Sequence, residues 1–473
     1  MQTMITGKRW IGLPLVLLIL AGCRVGRNYQ QPELLLPQQF STTSFADTSS
    51  IADLPWEQLF TDTTLQRLIR NGLTYNHDLL AAIKRIEMAQ SQVKQARLSQ
   101  LPTLNLNVTG QYNRPSDNSL NGLSASSFLG KSHIENYQAF LNLSWEADIW
   151  GKIRRQQETT LAQYLQTQEA AKAVQTQLVA GIAQGYYNLL MLDQQLGIAR
   201  RNLQLNDTFV NVTRFLLDGG MVSNLAVQQA EAQRSTTALL VPQLEEQIAL
   251  QENNLQLLTG QLPGSITRAG DLSDIPLQTG LSTGIPVAMV SRRPDVRATE
   301  MALVAANAQV GVAQASMYPG LTITAGGGLE SFKSSNWFNI PGSLFGLAAG
   351  TVLQPVFQQR MLRTRFEIAQ KEREEAVIRF RQSVLTAATE VSNALVQTDK
   401  LQAQHAIASQ RADTLQVAVQ HAQLLFKSDM ANYLEVITAQ SNALQAELEL
   451  VNIRRNQLAT VVELYRSLGG GWK

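Results

Sequence analysis

Cysteine is almost absent from this 473-residue chain, because Cys23 is the only one. No disulfide can therefore form within the chain. Blocks of like charge are also missing, since 39 Lys and Arg residues nearly balance 37 Asp and Glu residues. A chain without a basic patch is not expected to bind nucleic acid. Beyond residue 22 no apolar run approaches the length of a transmembrane helix, so any membrane span would have to be built from strands.

The chain also lacks the residue clusters that catalysis and metal binding require. Its four histidines show no i, i+4 pairing and no acidic neighbours at ligand spacing. The stretch "AGGGLE" (325–330) lacks the Lys-Ser/Thr ending of a phosphate-binding loop. Methionines such as Met301, Met317 and Met430 are scattered. We therefore expect no catalytic residues, no metal site and no cofactor, and the chain is not expected to be an enzyme.

The N-terminus has the layout of a secretory signal peptide. A basic pair precedes an apolar run from Trp10 to Leu20, and two small residues follow it. The next four-residue motif, "LAGC", resembles the lipobox of bacterial lipoproteins, in which the cysteine is acylated and becomes the first mature residue. This resemblance predicts lipid attachment at Cys23, and Arg24 favours sorting to the outer membrane. The alternative is an ordinary signal peptide that ends in cysteine by chance.

An internal repeat organises the rest of the chain. Residues 78–104 align without a gap to 295–321, with nine of 27 positions identical, and 216–230 align to 425–439. The offsets are 217 and 209 residues. Each copy is predicted as helix, strand, loop, strand, long helix, turn and helix. The predicted segments are a signal peptide (1–22), a lipidated N-terminal segment (23–60), a first repeat (61–264), a linker (265–287) and a second repeat (288–473).

Four short segments alternate between apolar and uncharged polar residues, which is typical of strands. They are 103–113, 135–147, about 321–330 and 342–354; the register of the last is not predicted. Their length and their polar faces of amides and hydroxyls suit a transmembrane β-barrel. A soluble hairpin with one buried face is the alternative. In "SWEADIWG" (144–151) Trp145 and Trp150 flank the point where alternation stops, which predicts a membrane–water interface there.

Long helical segments follow the second and fourth strands. The first of them runs from Lys152 to Leu217, and between Ile182 and Leu217 an apolar residue recurs at every seventh position, the pattern of a left-handed coiled coil. Four strands per chain cannot close a barrel, because about eight is the minimum and open edges are forbidden in lipid. Several copies must therefore share one barrel. Two copies would supply eight strands and three would supply twelve, and counting does not choose between them.

These features resemble the outer membrane factor family of Gram-negative tripartite efflux and secretion systems, and within it the lipoprotein branch that serves resistance–nodulation–division pumps. The motifs that carry the resemblance are "LAGC", "SWEADIWGKIR", "LTGQLPG" (258–264), "GIPVAMVSRRPDVRATEMALVAANAQVGVAQASMYPGLTIT" (284–324) and "LQPVF" (353–357). The resemblance implies a mostly α fold with a membrane β-barrel. Three copies would share a twelve-strand barrel in the outer membrane, and their long coiled-coil helices would form a periplasmic α-barrel.

The function implied by the resemblance is that of a passive outer-membrane channel. It would export small toxic compounds or drugs, powered by an inner-membrane pump and joined to it by a periplasmic adaptor. The alternative is a periplasmic coiled-coil adaptor, or a structural outer-membrane lipoprotein without channel activity.

The resemblance also implies roles for particular residues. Two helical turns are implied to be periplasmic tips that contact the adaptor, through Gly219, Gly220, Met221, Val222, Ser223, Asp429, Met430, Ala431 and Asn432. A gate is implied at Leu434 and Glu435, which match the family's apolar and first acidic positions. Thr438 stands where many relatives have Asp. The alternative is that Leu434 packs in a helix seam and Glu435 is a solvated surface residue.

The stretch "RRPDVRA" (292–298) is predicted to begin a helix, with Asp295 able to cap free backbone donors. Arg292, Arg293 and Arg297 are interpreted as partners in structural ion pairs rather than as a ligand site.

Overall fold

The computed structural model describes residues 25–33, 50–277 and 292–472. Cys23, the predicted signal peptide and part of the predicted linker lie outside these residues. The chain divides into two compact units, each assembled from segments that are distant in the sequence. The strand unit comprises Met1–Pro32, Glu87–Leu165 and Glu300–Arg379, and the helical unit comprises Glu33–Ile86, Gln166–Thr299 and Phe380–Lys473.

Helices account for most of the described chain. They are α1 (Trp56–Leu59), α2 (Thr63–Tyr75), α3 (His77–Leu98), α4 (Leu120–Leu129), α5 (Lys152–Asp218), α6 (Asn224–Leu258), α7 (Pro294–Ala315), α8 (Met361–Lys427) and α9 (Tyr433–Ser467). Helices α5 and α8 both have 67 residues, and α6 and α9 both have 35. The internal duplication is therefore confirmed. No helix in the described ranges is long and apolar enough to cross a membrane.

The strand unit contains a four-stranded antiparallel sheet. Its strands are β1 (Thr103–Asn113), β2 (Ile134–Ala147), β3 (Gly320–Ser331) and β4 (Leu344–Leu353), in the order β1-β2-β3-β4. Leu104 lies opposite Leu143, and Trp145 lies opposite Ile323. Because opposite residues share a face, the apolar positions of neighbouring strands form one continuous apolar face. The outer edges of β1 and β4 pair with no other strand of the described chain.

The pairing of β4 supplies the register that its sequence did not predict. Leu321 lies opposite Val352, so even-numbered residues of β4 belong to the apolar face. The opposite face is less polar than its amides and hydroxyls suggested. Phe140 and Phe345 lie on it with ring centroids 6.0 Å apart, on either side of Gly328. A Cβ at Gly328 would lie 2.5 Å from the Cβ of Phe140, so this row of the sheet requires glycine.

The Ser- and Asn-rich segment 114–134 was expected to be a loop, but it contains helix α4. The Ser119 hydroxyl accepts a hydrogen bond from the Gly122 amide at 3.1 Å, which caps the start of the helix. Gly130 follows the last helical residue in the left-handed region, with φ of 62°. Capping residues at both ends therefore define a helix where composition indicated a loop.

In the helical unit, the seven-residue repeat of α5 faces the core. Ile182, Leu189 and Val210 are buried, and the intervening members of the repeat are half-buried. The core also contains large aromatic side chains, including Tyr186 and Tyr465. The predicted heptad pattern thus corresponds to packing between helices within one chain.

A buried arginine joins the start of α7 to α8 and α9 within the helical unit. The Arg293 side chain is 3% exposed. It donates two hydrogen bonds to the Asp295 carboxylate, at 3.0 and 2.6 Å, one to Glu390 at 2.7 Å and one to the Ser467 carbonyl at 3.0 Å. The planar guanidinium suits several acceptors at once. These contacts agree with the interpretation of Arg293 as a structural residue, and Arg292 likewise pairs with Asp53 at 3.1 Å.

The Arg293 pair also lowers the pKa of Asp295. Burial alone would raise it, but the hydrogen bonds and positive charge of Arg293 bring it below the ordinary value of 3.8. A lowered carboxyl pKa stabilises the folded state fully above the unfolded pKa. That stabilisation is lost as the pH falls through the lowered, folded-state pKa.

We expect Arg293→Ala to lower the free energy of unfolding by about 2 kcal/mol, because it removes a buried side chain and leaves the buried Ser467 carbonyl without this donor. Denaturant unfolding in detergent at neutral pH measures this change. Arg297 was also interpreted as an ion-pair partner, but it is exposed and forms no ion pair with another described residue. Arg297→Ala should therefore change stability by no more than about 0.5 kcal/mol. The difference in the free energy of unfolding between the parent and Arg293→Ala should become smaller as the pH falls below 3.8. An equal effect of the two substitutions would contradict this assignment.

Candidate functional site

The residues with predicted functions fall into two regions, each within one unit. The junction, residues 144–155, lies in the strand unit where β2 leads into α5. The first tip (residues 217–223) and the second tip (residues 426–432) lie in the helical unit, where the long helices turn. The predicted lipidation site, Cys23, lies outside the described residues.

The two acids of the junction have structural partners. The Asp148 carboxylate accepts hydrogen bonds from the amides of Ile153 at 2.9 Å and Arg154 at 3.0 Å. It thereby satisfies two of the free backbone donors in the first turn of α5, where the helix dipole also favours a negative charge. Glu146 pairs with Lys152 at 2.5 Å. Both carboxylates therefore stabilise the short segment that connects strand β2 to helix α5.

The two tryptophans of the junction bind backbone carbonyls next to the strand starts. The Trp145 indole donates to the Gln100 carbonyl at 2.8 Å, two residues before Pro102. The Trp150 indole donates to the Pro319 carbonyl at 2.7 Å, directly before β3. Trp150 also stacks on Tyr318, with ring centroids 4.9 Å apart. These contacts fasten the end of β2 to the starts of β1 and β3. The interface role of the tryptophans stays a prediction.

One of these hydrogen bonds recurs in the second repeat with a different donor. Gln354 lies 209 residues after Trp145, and its amide donates to the Met317 carbonyl at 3.3 Å. Met317 lies 217 residues after Gln100. The sequence analysis did not identify Gln354 or Tyr318 as partners. The offset of the repeat would have pointed to Gln354, whereas no pattern marked Tyr318.

The two tips have the same backbone turn built from different residues. Gly220 and Asp429 are 209 residues apart, and both are left-handed, with φ of 70° and 57°. In each tip the following methionine amide bonds to a carbonyl five residues earlier, at 2.9 Å. This geometry closes the end of a helix and usually requires glycine. Asp is among the few other residues that tolerate it.

The tips border a single cavity of about 460 Å³. Most of the predicted adaptor-contacting residues line it, namely Met221, Val222, Ser223, Asp429, Met430, Ala431 and Asn432. Gly219 and Gly220 do not. Met221 and Met430 are 64% and 71% exposed. Phe426, which also lines the cavity, packs on Phe209 with ring centroids 5.4 Å apart, so the two tips share a small apolar core.

The predicted gate residues lie on one exposed face at the start of α9. Leu434 is 54% exposed, and Glu435 and Thr438 are exposed as well. The Asn432 side chain caps the helix by accepting a hydrogen bond from the Glu435 amide at 3.1 Å. It also donates to the Glu435 carboxylate at 3.3 Å. In the single chain Leu434 does not pack in a helix seam, and Glu435 is available to solvent.

The equivalent residues of the first tip have different surroundings. Leu225 is 55% exposed, like Leu434, but Ala226 is fully buried. A carboxylate in place of Ala226 would have to be buried, which is costly unless it is paired. The exposed position in the second repeat accommodates a carboxylate at lower cost. Within the described ranges no group of three or more His, Cys, Asp or Glu side chains could hold a metal ion.

Known proteins resemble this chain over nearly its whole length. The family described as outer membrane efflux protein matches residues 68–261 and 285–470. The cation efflux system protein CusC of Escherichia coli O6:H1 is 29% identical over 466 residues, covering 97% of this chain and 98% of CusC. The toluene efflux pump outer membrane protein TtgF of Pseudomonas putida is 29% identical over 470 residues, covering 96% of this chain and 95% of TtgF.

The fold is also similar to that of solved structures. A crystal structure of CusC, studied for conformational changes that accompany folding and transmembrane channel formation, superposes with a TM-score of 0.83. That similarity covers 95% of this chain and 100% of the other, at 27% sequence identity. The similarity spans both repeats, so it includes the junction and both tips.

We expect opposite effects from exchanging residues at the two left-handed positions of the tips. Gly220→Ala should destabilise the first tip by about 1 kcal/mol, since a Cβ is disfavoured in this conformation. Asp429→Gly should instead stabilise the second tip. Hydrogen–deuterium exchange of tip peptides measures both effects, and a loss of about 1 kcal/mol speeds exchange about fivefold. Because no atom lies within 4 Å of a Cβ built at Gly220, unchanged exchange would mean that the left-handed turn is not maintained.

Proposed function

The chain belongs to the outer membrane efflux protein family, and from this membership we propose that it is the passive outer-membrane channel of a tripartite efflux system. The observation that carries the proposal is that the family match covers both repeats of the chain, whose strands together form one four-stranded sheet. The channel is anchored in the outer membrane by its sheet and by a lipid on Cys23. A periplasmic adaptor connects it to an inner-membrane pump of the resistance–nodulation–division type.

Three copies complete the membrane part. Each chain has two strand edges, on β1 and β4, that pair with no other strand of the described residues. Pairing β1 of one copy with β4 of the next repeats the same contact around a closed ring. Three copies give twelve strands and leave no edge in lipid. The long helices of the three copies likewise form the periplasmic α-barrel.

In this proposal the channel does not determine which class of compound is exported. CusC is named for cation efflux and TtgF for toluene efflux, and this chain is 29% identical to each. A channel that carries both classes of compound is consistent with a system in which the inner-membrane pump selects the substrate and supplies the energy. We assign the chain no catalytic role. Its cargo is small toxic compounds in general, whether metal ions or organic molecules.

The tips contact the adaptor in this proposal. Two exposed methionines border their shared cavity. Methionine side chains are flexible and polarizable, and they suit surfaces that dock apolar partners. The small Ala431 and half-buried Val222 leave the groove open to a helical turn of a partner.

Cysteines at the tips should cross-link to the adaptor in intact cells. Met221→Cys and Met430→Cys place reactive thiols at exposed positions, and acylation of Cys23 removes the only natural thiol. Leu239→Cys is the matched control, because Leu239 is also exposed but lies 16 residues along α6 from Ser223, about 24 Å away. Adaptor adducts at the tips and not at the control are expected. Labelling of the tip cysteines by reagents confined to the cell exterior would contradict the topology.

Leu434 and Glu435 form the gate in this proposal. Both are exposed in the single chain, one residue apart at the start of α9. Three copies present three leucines and three carboxylates around one bore. Carboxylate rings attract cations, and a ring of leucines can close a pore by dewetting. Thr438 contributes a hydroxyl one turn further along, where relatives with Asp would add a second ring of charge.

Planar-bilayer recording of the purified protein tests the channel and its gate. Leu434→Ala should raise conductance, because it widens the apolar ring. Leu225→Ala, which alters an equally exposed leucine of the first repeat, should raise it less. Glu435→Gln should lower the preference for cations while it keeps an acceptor for Asn432. Glu246→Gln, at an exposed position of α6, is its control.

The recordings also separate the gate from the channel itself. A parent protein without conductance would favour the alternative of a structural lipoprotein or adaptor. A conducting parent whose Leu434 and Leu225 variants behave alike would retain the channel and place its constriction elsewhere.

A further inference from the structure

A polar cavity of about 500 Å³ lies between helices α5, α8 and α9 of the helical unit. Its volume is in the range of pockets that take small ligands, roughly 300–1,000 Å³. Such pockets are usually lined by apolar side chains, but here most of the lining is polar. Two cations and four side-chain amides line it, namely Lys400, Arg455, Gln184, Gln397, Gln404 and Asn456. Side chains of this kind suit a hydrophilic ligand that accepts several hydrogen bonds.

Arg455 has a polar atom that is buried without a partner. Its Nε is removed from solvent and forms no hydrogen bond within the described chain. Burial alone lowers the pKa of its guanidinium, and no charged neighbour raises it. A buried charge is costly unless it is paired. The guanidinium therefore lacks a counter-ion from this chain.

Other half-buried arginines of the helical unit do have partners. Arg268 pairs with the Asp193 carboxylate at 2.7 Å. Arg454, the residue before Arg455, donates to the Ile275 carbonyl at 2.7 Å. The fold thus satisfies arginines of similar burial with its own acceptors. The unpaired Arg455 is a departure from this pattern, and it occurs where a cavity adjoins the side chain.

The remaining charged residues leave the cavity positive. Lys400 pairs only with Asp399, its neighbour in the sequence, and is 69% exposed, so that pair holds it weakly. Glu463 is the one acid among the described lining residues. Its carboxylate accepts two hydrogen bonds from Arg466, at 3.0 and 2.5 Å, which already balance its charge. The charges of Lys400 and Arg455 therefore attract an anion.

The first repeat does not have these two cations. Helices α5 and α8 are equally long, as are α6 and α9, so their residues correspond at the offset of 209. Met191 stands at the position of Lys400, and Glu246 stands at that of Arg455. The positive cavity is therefore not a consequence of the duplicated fold.

The first repeat also closes the corresponding helix pair with a hydrogen bond. Asn188 of α5 donates to Gln251 of α6 at 3.1 Å. Their counterparts in the second repeat are Gln397 and Thr460, which both line the cavity. The Thr460 hydroxyl donates instead to the Asn456 carbonyl of its own helix, at 2.8 Å. The second repeat thus has an open cavity where the first has a direct contact between helices.

We propose that this cavity binds a small oxyanion of the phosphate type, free or as a phosphate monoester, through Arg455 and Lys400. The planar guanidinium matches the oxygens of a phosphate, and the ammonium supplies a second charge. The neighbouring side-chain amides can donate to the remaining oxygens. Each chain has one such site, and binding does not require the chain to form a channel.

Calorimetric titration of the purified full chain with inorganic phosphate, at an ionic strength held constant with chloride, tests the site. One phosphate should bind per chain. Arg455→Gln should weaken binding about tenfold or more, and Lys400→Gln about threefold because that side chain is exposed. Arg381→Gln is the control, since it removes an exposed charge from α8 at 19 residues from Lys400, about 28 Å away. It should leave the affinity unchanged.

Two results of the titration would overturn the proposal. One is the absence of saturable heat in the parent, as expected if a carboxylate of another copy fills the cavity. The other is an equal affinity of the Arg455→Gln and Arg381→Gln chains. Glycerol phosphate then separates the two sources of the ligand. Its binding assigns the site to a phosphate group in general, whereas binding of inorganic phosphate alone assigns it to the free ion.

Thermal unfolding separates binding from a structural role of Arg455. In phosphate-free buffer Arg455→Met should be at least as stable as the parent, because the variant lacks an uncompensated half-buried charge. Phosphate should raise the melting temperature of the parent and not that of the variant, since a ligand stabilises only the state that binds it. A variant that is equally destabilised with and without phosphate would show that Arg455 is structural, and would overturn the proposal.

Discussion

Unpaired backbone groups along β1 and β4 are the constraint on which the rest of this protein depends. Within the described residues each of these strands pairs on one side only. In hydrocarbon an N–H or C=O without a partner costs several kcal/mol, and no water is present to replace it. A sheet of four strands can therefore lie in a bilayer only when other copies complete its edges. Closure by identical copies then places every functional residue once per chain around a ring.

The duplicated chain meets the same backbone requirements twice with different side chains. Gly220 and Asp429 both allow a left-handed turn after a helix of 67 residues. Trp145 and Gln354 both donate to a carbonyl that lies just before a strand. What the two repeats share is thus geometry rather than residue type. Because the backbone sets the fold, side chains at equivalent positions could diverge without changing it.

Periodicity predicted most of the fold, because strands and coiled-coil helices leave a regular apolar pattern. It failed where the pattern was weak. In β4, glycine and alanine at many positions carry too little contrast between the two faces, so only its pairing with β3 sets the register. Helix α4 was not predicted, because the Ser- and Gly-containing composition of its interior is typical of a loop. Its ends are set by the capping residues Ser119 and Gly130. The repeat alone did not predict that Ala226 would be buried where its counterpart Glu435 is exposed.

The junction shows why its donors were easier to identify than their partners. Trp145 and Trp150 each donate to a backbone carbonyl far away in the sequence. Every residue has a carbonyl, so the acceptor leaves no mark on the sequence. Composition singled out the tryptophans for an interface, and the structure adds that their N–H groups are satisfied internally. An indole in that state presents mainly its apolar ring to its surroundings, so its structural contact and its predicted place at a membrane surface reinforce each other.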